Sequence, residues 1–458
     1  MSAVNNRIVR DLNHGSVTVT MLLFALPLLG ASLVQMFYNT ADMIIVGQFV
    51  GRNGLGSVSI GGDILHFIAF VSMGFSSAGQ VIISQFIGAG LKEKIGRIIG
   101  TMFSFLFIAA TLLGCLVLCF RKKILLWVNT PEELLYDTEQ YVIICMLGII
   151  FTFGYNVVSA ILRGMGDSRH PLIFVAVTAI LNVILDLVFV ICFKMGVAGV
   201  AWATVISQGV CLFLSMFFLW NHREEFGFDF KLRSFAIEKE ALSPLLKLGV
   251  PMMLQSASIS FSMIFVDSWI NSYGVIAIAM NGIGNKTSML VNVVNISFAL
   301  AATPMVGQAV GAGKFERVPK ILGVSTLINM LISIAASIVV VLAPRLVFGI
   351  FTNDADVLDL SVSYVPVLLV MLLGSALRPP MNALINGVGN FKLNLAVGLL
   401  DGFIMRIGLS LLLGLVCSFG VFGFWYGRSI AGLAPFLVGI VYYFSGTWKT
   451  RKHIIKSR

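Results

Sequence analysis

Charged residues are scarce in this chain. Asp, Glu, Lys and Arg make up 11% of its 458 residues, whereas a soluble domain typically has about 25%. So few charges cannot cover a surface that faces water, and a soluble protein is therefore excluded. With 58% hydrophobic residues and a mean hydropathy of +0.96, the chain is predicted to be an integral membrane protein that is surrounded by the lipid bilayer.

Patterns that indicate metal or covalent chemistry are also lacking. The six cysteines form no CxxC pair and lie within apolar stretches, so neither a disulfide framework nor a zinc site is predicted. No nucleophile–base pair or metal triad stands out, and we expect neither enzyme activity nor a cofactor. The net charge of +10 comes from basic residues in short connectors, a pattern typical of membrane proteins rather than of nucleic-acid binding.

Long apolar runs occupy most of the chain. A bilayer core needs about 20 apolar residues per helix, and the runs predict twelve such helices. They are placed near residues 17–46, 55–85, 94–119, 135–162, 171–193, 197–220, 245–271, 275–305, 318–343, 358–385, 393–416 and 420–447. Because Lys and Arg are concentrated in the connectors on one side, both termini are predicted to be cytoplasmic.

The sequence repeats itself at an offset of 223–224 residues. SQFIGAGLKEKIGRIIG (84–100) corresponds to GQAVGAGKFERVPKILG (307–323), and ILRGMGDSRH (161–170) corresponds to LINGVGNFKL (384–393). A third pair, GVAG and GVFG, follows in the same order. Three pairings at one offset indicate an internal duplication.

The duplication predicts an all-α fold with two lobes of six transmembrane helices. The amino-terminal lobe is assigned to residues 1–220, a cytoplasmic linker to 221–244, and the carboxy-terminal lobe to 245–458. Because each half contains an even number of helices, the two lobes run parallel and are related by an axis along the membrane normal. This is the architecture of a transporter with a central cavity.

Two acids of the first half lie within predicted helices and have amide or hydroxyl neighbours on the same helix face. Asp186 follows Asn182 by one helical turn, so the two side chains share a helix face. In the first helix, Gln35, Tyr38 and Asp42 form a second polar stripe. An ionised acid at the centre of a membrane helix costs roughly 2.5–3.5 kcal/mol, so a functional role is the default expectation. Thr204, on the next helix, can add a hydroxyl group.

Two carboxylates that share a site of low dielectric constant repel each other. One of them should hold a proton, or both should bind a cation. Oxygen ligands without Cys or His suit a hard cation such as Na⁺ better than a transition metal. Asp42 and Asp186 are therefore predicted to bind H⁺ or Na⁺. The alternative is that both acids cap or brace neighbouring helices.

The chain resembles the multidrug and toxic compound extrusion (MATE) family of cation-coupled antiporters over essentially its full length. The resemblance rests on LPLLGASLVQMFYNTADMIIVGQFVG, the paired Q-x-x-G-A-G connectors, and RGMGDSRHP after the fourth helix. The chain is most similar to the branch whose cation site lies in the amino-terminal lobe. This similarity implies a site made of Asp42, Asn182, Asp186 and Thr204, with a polar network of Gln35, Tyr38 and Asn156 beside it.

The resemblance also implies a mechanism. The protein would export small amphiphilic, mostly cationic compounds by alternating access, in exchange for H⁺ or Na⁺. Ion binding would change the packing of the first helix, where Pro27 removes a backbone hydrogen bond and permits bending. The expected location is the cell membrane of a prokaryote, and no obligate protein partner is expected.

Basic residues of the second half support an alternative function. A flippase for lipid-linked oligosaccharides, or a polysaccharide exporter, should line its cavity with several Arg and Lys. The second half contains Lys286, Arg378, Arg406 and Arg428 within its spans, whereas the first half has no basic residue at mid-membrane depth. Lys286, Asp401 and Arg406 are interpreted either as structural ion pairs or as gating groups.

Overall fold

The computed structural model describes residues 9–225 and 227–450, and it is helical with no strand in that part of the chain. Among these described residues, eleven helices are long and apolar enough to cross a membrane, and a bent pair, Glu132–Leu147 with Ile149–Gly164, makes a twelfth. The predicted all-α membrane fold is therefore confirmed.

The twelve helices are numbered here in chain order. They are α1 (Val17–Val50), α2 (Arg52–Gly88), α3 (Lys92–Trp127), α4 (Glu132–Leu147 with Ile149–Gly164), α5 (Arg169–Cys192), α6 (Gly196–Asn221), α7 (Lys239–Asn271), α8 (Val275–Gly311), α9 (Arg317–Leu342), α10 (Ala355–Gly387), α11 (Phe391–Val416) and α12 (Gly420–Phe444). At 1.5 Å per residue, the 37 residues of α2 span about 55 Å, well beyond the apolar thickness of a bilayer, about 30 Å. The longest helices therefore extend past the apolar runs from which they were predicted.

The helices form two compact units that exchange the starts of their first helices. The first unit contains Gly30–Gly249, and the second contains Asp11–Leu29 with the described residues from Val250 onwards. The start of α1 therefore belongs to the second unit, and the start of α7 belongs to the first. This grouping differs from the predicted division at 1–220, 221–244 and 245–458.

Side-chain packing explains both exchanges. Met21 and Phe24 of α1 lie in a buried apolar core together with Met305 and Val306 of α8. At the start of α7, a Cβ atom added to Gly249 would lie 2.2 Å from the ring of Phe75 on α2. Each start is thus held by large apolar contacts, which a division by chain order does not take into account.

The duplication is visible in the turns before α5 and α11. Asp167 Oδ1 accepts hydrogen bonds from the backbone N–H groups of Arg169, at 3.0 Å, and His170, at 3.3 Å. Asn390, 223 residues later, accepts one from the N–H of Leu393 at 3.2 Å. The same side-chain position therefore satisfies helix-start donors in both halves.

A π-helical turn accounts for the change of offset within the repeat. Pro27 and Pro251 are 224 residues apart, whereas Gly51 and Gly274, which precede α2 and α8 with φ of +89° and +97°, are 223 apart. The first half thus has one extra residue between these points. It is absorbed in the π-helical turn Val46–Val50 at the end of α1, because an i→i+5 turn holds one more residue than an α-helical turn.

Close packing of α11 on α12 depends on glycine. A Cβ atom at Gly427 would lie 2.4 Å from Cα of Ser410 and 2.5 Å from its backbone nitrogen. Backbone atoms cannot move aside as a flexible side chain can, so we expect Gly427→Ala to destabilise the protein by about 1–3 kcal/mol. Thermal unfolding of the purified protein measures this. Gly282→Ala on α8 is the control, since no atom lies within 4 Å of its added Cβ; equal unfolding temperatures for the two variants would contradict the prediction.

Candidate ion-binding site

Two acids on different helices of the first unit lie side by side. Asp42 is on α1 and Asp186 on α5, and their carboxyl groups are direct electrostatic neighbours. Asp186 is fully buried and Asn182, one turn before it, is 2% exposed, while Asp42 is half-buried. The structure thus brings together the two acids that the sequence singled out.

Four buried oxygen atoms of this group have no hydrogen-bond donor among the described residues. Both carboxyl oxygens of Asp186, Oδ1 of Asp42 and Oδ1 of Asn182 are buried and accept no hydrogen bond from the described residues. Buried polar atoms are normally hydrogen-bonded, and two adjacent carboxylates cannot both stay charged without a counter-charge. A proton shared by the two acids, or a cation bound between them, satisfies both requirements.

The chemistry of the ligands limits the kind of ion. No group of three or more His, Cys, Asp or Glu that could hold a metal ion occurs in residues 9–225 and 227–450. Two carboxylates with neutral oxygen atoms nearby are typical ligands of a hard cation. The chemistry of these ligands thus suits H⁺ or Na⁺ better than a transition metal.

The polar network predicted on α1 lies beside the acids. The side chain of Gln35 is a neighbour of the Tyr38 hydroxyl, and both Asp42 and Asp186 are electrostatic neighbours of Tyr38. Tyr38 is half-buried and Gln35 is exposed. Tyr38 thus lies between the acids and an exposed polar side chain on α1.

Thr204 and Asn156 are not hydrogen-bonded to the acids in the described part of the chain. The backbone carbonyl of Thr204 accepts a hydrogen bond from Ser207 Oγ at 2.9 Å. Asn156 Nδ2 donates instead to Ser72 Oγ on α2, at 3.1 Å. The roles predicted for Thr204 in cation binding and for Asn156 in the polar network stay predictions.

Two residues of α4 were missed by sequence reasoning. Tyr141 and Cys145 are both 5% exposed, lie within hydrogen-bonding reach of each other, and are electrostatic neighbours of Asp42. Tyr141 is fixed in place by α2, since a Cβ atom at Gly61 would lie 2.4 Å from its ring. The only sequence signal is their i, i+4 spacing on one helix face.

The backbone changes its helical type directly after the buried acid. Asp186 is the last α-helical residue before the π-helical turn Leu187–Cys192. π-Helical turns are rare and occur frequently at functional sites. The π-helical turn changes the direction in which the side chains after Asp186 point. The acid therefore lies where the regular α-helical hydrogen-bonding pattern of α5 ends.

Comparison with known proteins identifies the family. The family model MatE matches the chain twice, over residues 27–188 and 251–412. These two matches cover more than half of the chain, and their starts are 224 residues apart, as the duplication requires. The chain belongs to the MatE family. It is therefore a membrane transporter and not an enzyme.

Relatives of the same family cover almost the whole chain. Two proteins of Bacillus subtilis (strain 168) are similar to it: the probable multidrug resistance protein YoeA, 26% identical over 95% of both chains, and the probable multidrug resistance protein YpnP, 27% identical over 96% of this chain and 98% of that one. A solved structure, the outward-facing conformation of a multidrug resistance MATE family transporter of the MOP superfamily, is 22% identical. It covers 98% of this chain and 100% of its own, with a TM-score of 0.89. The fold is thus that of MATE transporters.

The second unit of this MatE transporter contains a connected network of charges. Arg406 Nη2 donates to Asp401 Oδ1 at 2.8 Å, and Arg406 Nη1 donates to the carbonyl of Arg428 at 3.4 Å. Arg428 in turn is paired with Asp267, with 2.5 Å between Nη1 and Oδ1. Asp401 and Asp267 are therefore each bound to an arginine, which favours ion pairs over cation ligands. Lys286 is exposed.

Proposed function

We propose that this MatE transporter is a cation-coupled antiporter that exports amphiphilic, mostly cationic compounds in exchange for H⁺ or Na⁺. The observation that carries the proposal is the adjacent pair Asp42 and Asp186, whose buried oxygen atoms have no protein donors among the described residues. The names of YoeA and YpnP, probable multidrug resistance proteins, support drugs or toxic compounds as the exported class. In this proposal both termini are cytoplasmic and the protein lies in the cell membrane, as the distribution of Lys and Arg predicts.

Helix α1 offers a route from ion binding to conformational change. Its residues up to Leu29 pack with the second unit, and those from Gly30 onwards, including Asp42, pack with the first. Pro27 lies next to this division. It has no N–H group to donate to the carbonyl of Leu23, so α1 can bend here with the smallest loss of backbone hydrogen bonding. Neutralising Asp42 changes the packing of one part of α1 relative to the other.

Alternation then follows from differential affinity. An ion that binds one facing of the transporter more tightly shifts the population towards that facing, and the exported compound does the reverse. Shifting a two-state equilibrium from 1:99 to 99:1 needs about a 10⁴-fold difference in affinity between the two facings. A buried acid pair that is charged in one facing and neutralised in the other is well suited to supply a difference of this size.

A lipid-linked oligosaccharide flippase is the less well supported alternative. It requires several basic side chains that are available to an anionic pyrophosphate group. Two of the four basic residues that suggested it, Arg406 and Arg428, are bound to Asp401 and Asp267. The antiporter accounts for the acid pair in the first unit, whereas the flippase gives it no role.

Transport in proteoliposomes tests the proposal. The purified full-length chain is reconstituted, a fluorescent cationic dye such as ethidium is supplied, and a Na⁺ gradient and a pH gradient are imposed separately. We expect one of the two gradients to drive dye movement in the opposite direction, which also identifies the ion. Dye movement that is indifferent to both gradients would contradict the antiporter, and transport of a lipid-linked pyrophosphate in the same vesicles would favour the flippase.

A further inference from the structure

The charge network of the second unit has more arginines than acids. Within residues 9–225 and 227–450, the three arginines Arg378, Arg406 and Arg428 form ion pairs only with Asp401 and Asp267. Arg428 uses Asp267, and Arg406 donates directly to Asp401. One positive charge is therefore left without an acid of its own.

Arg378 on α10 carries this surplus charge. Its Nη1 lies 3.7 Å from Asp401 Oδ2, beyond normal hydrogen-bonding distance, and Arg406 adds a second positive charge close to it. A guanidinium has five N–H donors, and those of Arg378 make no hydrogen bond to another described residue. About a third of the side chain, 32%, is exposed, so these donors are accessible to a ligand.

The backbone that carries Arg378 is fixed by its neighbours. Pro379 and Pro380 follow it directly and are buried, and their rings lock φ and cannot donate to the carbonyls one turn earlier. One of those carbonyls, that of Ala376, lies 3.5 Å from the side-chain amide of Asn329 on α9. The backbone at Arg378 is thus set before a ligand arrives, so binding has only the side chain to order, which lowers its entropy cost.

We propose that Arg378 binds the anionic group, a carboxylate or a sulfonate, of an organic amphiphile. A planar guanidinium donates two parallel hydrogen bonds to such a group, which a lysine cannot do. The transporter therefore accepts anionic or zwitterionic amphiphiles besides cationic ones. Transport of these compounds rests on the proposed antiport, whereas their binding at Arg378 does not.

A matched pair of probes tests the binding step. The purified full-length chain in nanodiscs of phosphatidylcholine is titrated with 8-anilinonaphthalene-1-sulfonate, and energy transfer from tryptophan reports binding. The neutral probe N-phenyl-1-naphthylamine has the same ring system without the sulfonate. We expect Arg378→Gln to weaken binding of the sulfonate probe by about tenfold or more, since a hydrogen-bonded charge pair is lost, and to change the affinity of the neutral probe less than about twofold.

Two further variants complete the test. Arg378→Lys keeps the charge but loses the planar fork, so we expect a loss between those of the wild type and Arg378→Gln. Arg345→Gln removes an arginine that is 68% exposed in the same unit, and we expect no change for either probe. Sulfonate binding of equal strength in the wild type and Arg378→Gln overturns the proposal.

Two other causes of a negative result can be told apart from a wrong proposal. One is misfolding of the variant, and the other is the absence of antiport. If Arg378→Gln also weakens the neutral probe, Arg378→Lys decides, and unchanged sulfonate binding in that variant overturns bidentate recognition. Binding is measured without any ion gradient. A chain that binds the sulfonate through Arg378 but moves no dye under either gradient therefore contradicts the antiporter and supports the anion site.

Discussion

Asp186→Asn is expected to abolish ion-driven transport, with gradient-dependent dye movement falling by more than about tenfold. The amide has nearly the shape of the carboxyl group but carries no charge, so Asp42 loses the partner with which it shares a proton or a cation. We expect exchange of dye across the membrane without a gradient to persist, because the substitution removes the ion and not the exported compound. Dye flux in proteoliposomes, with and without the gradient, measures both quantities.

Stability separates this effect from misfolding. Both carboxyl oxygens of Asp186 are buried without protein donors in the described residues, so replacing the acid with a neutral amide removes charge repulsion, and we expect the unfolding temperature not to fall. Asp63→Asn on α2 is the matched control, since Asp63 is an exposed acid within a span of the same unit. Full coupling in Asp186→Asn, or equal losses in both variants, would refute the assignment.

Asp401→Asn is expected to be the most destabilising substitution of a charged residue in the second unit. Asp401 is fully buried, Arg406 is 3% exposed, and the two are joined at 2.8 Å. Removing one partner of a buried ion pair leaves an uncompensated buried charge, which typically costs about 3–5 kcal/mol. Arg378 lies at the same acid and loses its nearest counter-charge as well. Thermal or denaturant unfolding of the purified protein measures the loss.

A double variant and a control make this prediction specific. Asp401→Asn combined with Arg406→Gln leaves no unpaired charge in that pair, and we expect it to be clearly more stable than Asp401→Asn alone. Asp359→Asn breaks the pair with Arg345, in which both side chains are 68% exposed, and we expect a loss below about 1 kcal/mol. Equal losses in Asp401→Asn and Asp359→Asn would show that the buried network contributes little.

Apolar runs were sufficient to predict the twelve helices, because a membrane span has to satisfy its backbone internally. Helix ends were less accurate: α2 was predicted at 55–85 and extends over Arg52–Gly88. Its start, Arg52 and Asn53, is polar and carries no hydropathy signal. The bend of α4 was not predicted at all. It occurs at Gly148, where no proline marks it and where a Cβ atom would lie 2.6 Å from Val205 on α6, and this close approach between helices cannot be read from the local sequence.

The candidate site shows the same limit. Asp42 and Asp186 could be assigned to one site from the sequence for two reasons. An ionised acid inside a membrane helix has a high free-energy cost, and the family resemblance implied both residues. The contact between Arg428 and Asp267 joins residues 161 positions apart, and no local pattern relates them. Tyr141 was not predicted for a different reason. The sequence does not distinguish a tyrosine next to a functional site from one that only packs in an apolar core.

The reciprocal exchange of helix starts between the two units bears on how such a chain arose. The start of α1 completes the core of the unit built from the second repeat, and the start of α7 completes the other. In an ancestor with a single repeat, the same core would be completed if the start of the first helix packed into a second copy of the chain. The result would be a domain-swapped homodimer. Joining two copies end to end would keep such contacts within one chain and free each half to evolve separately.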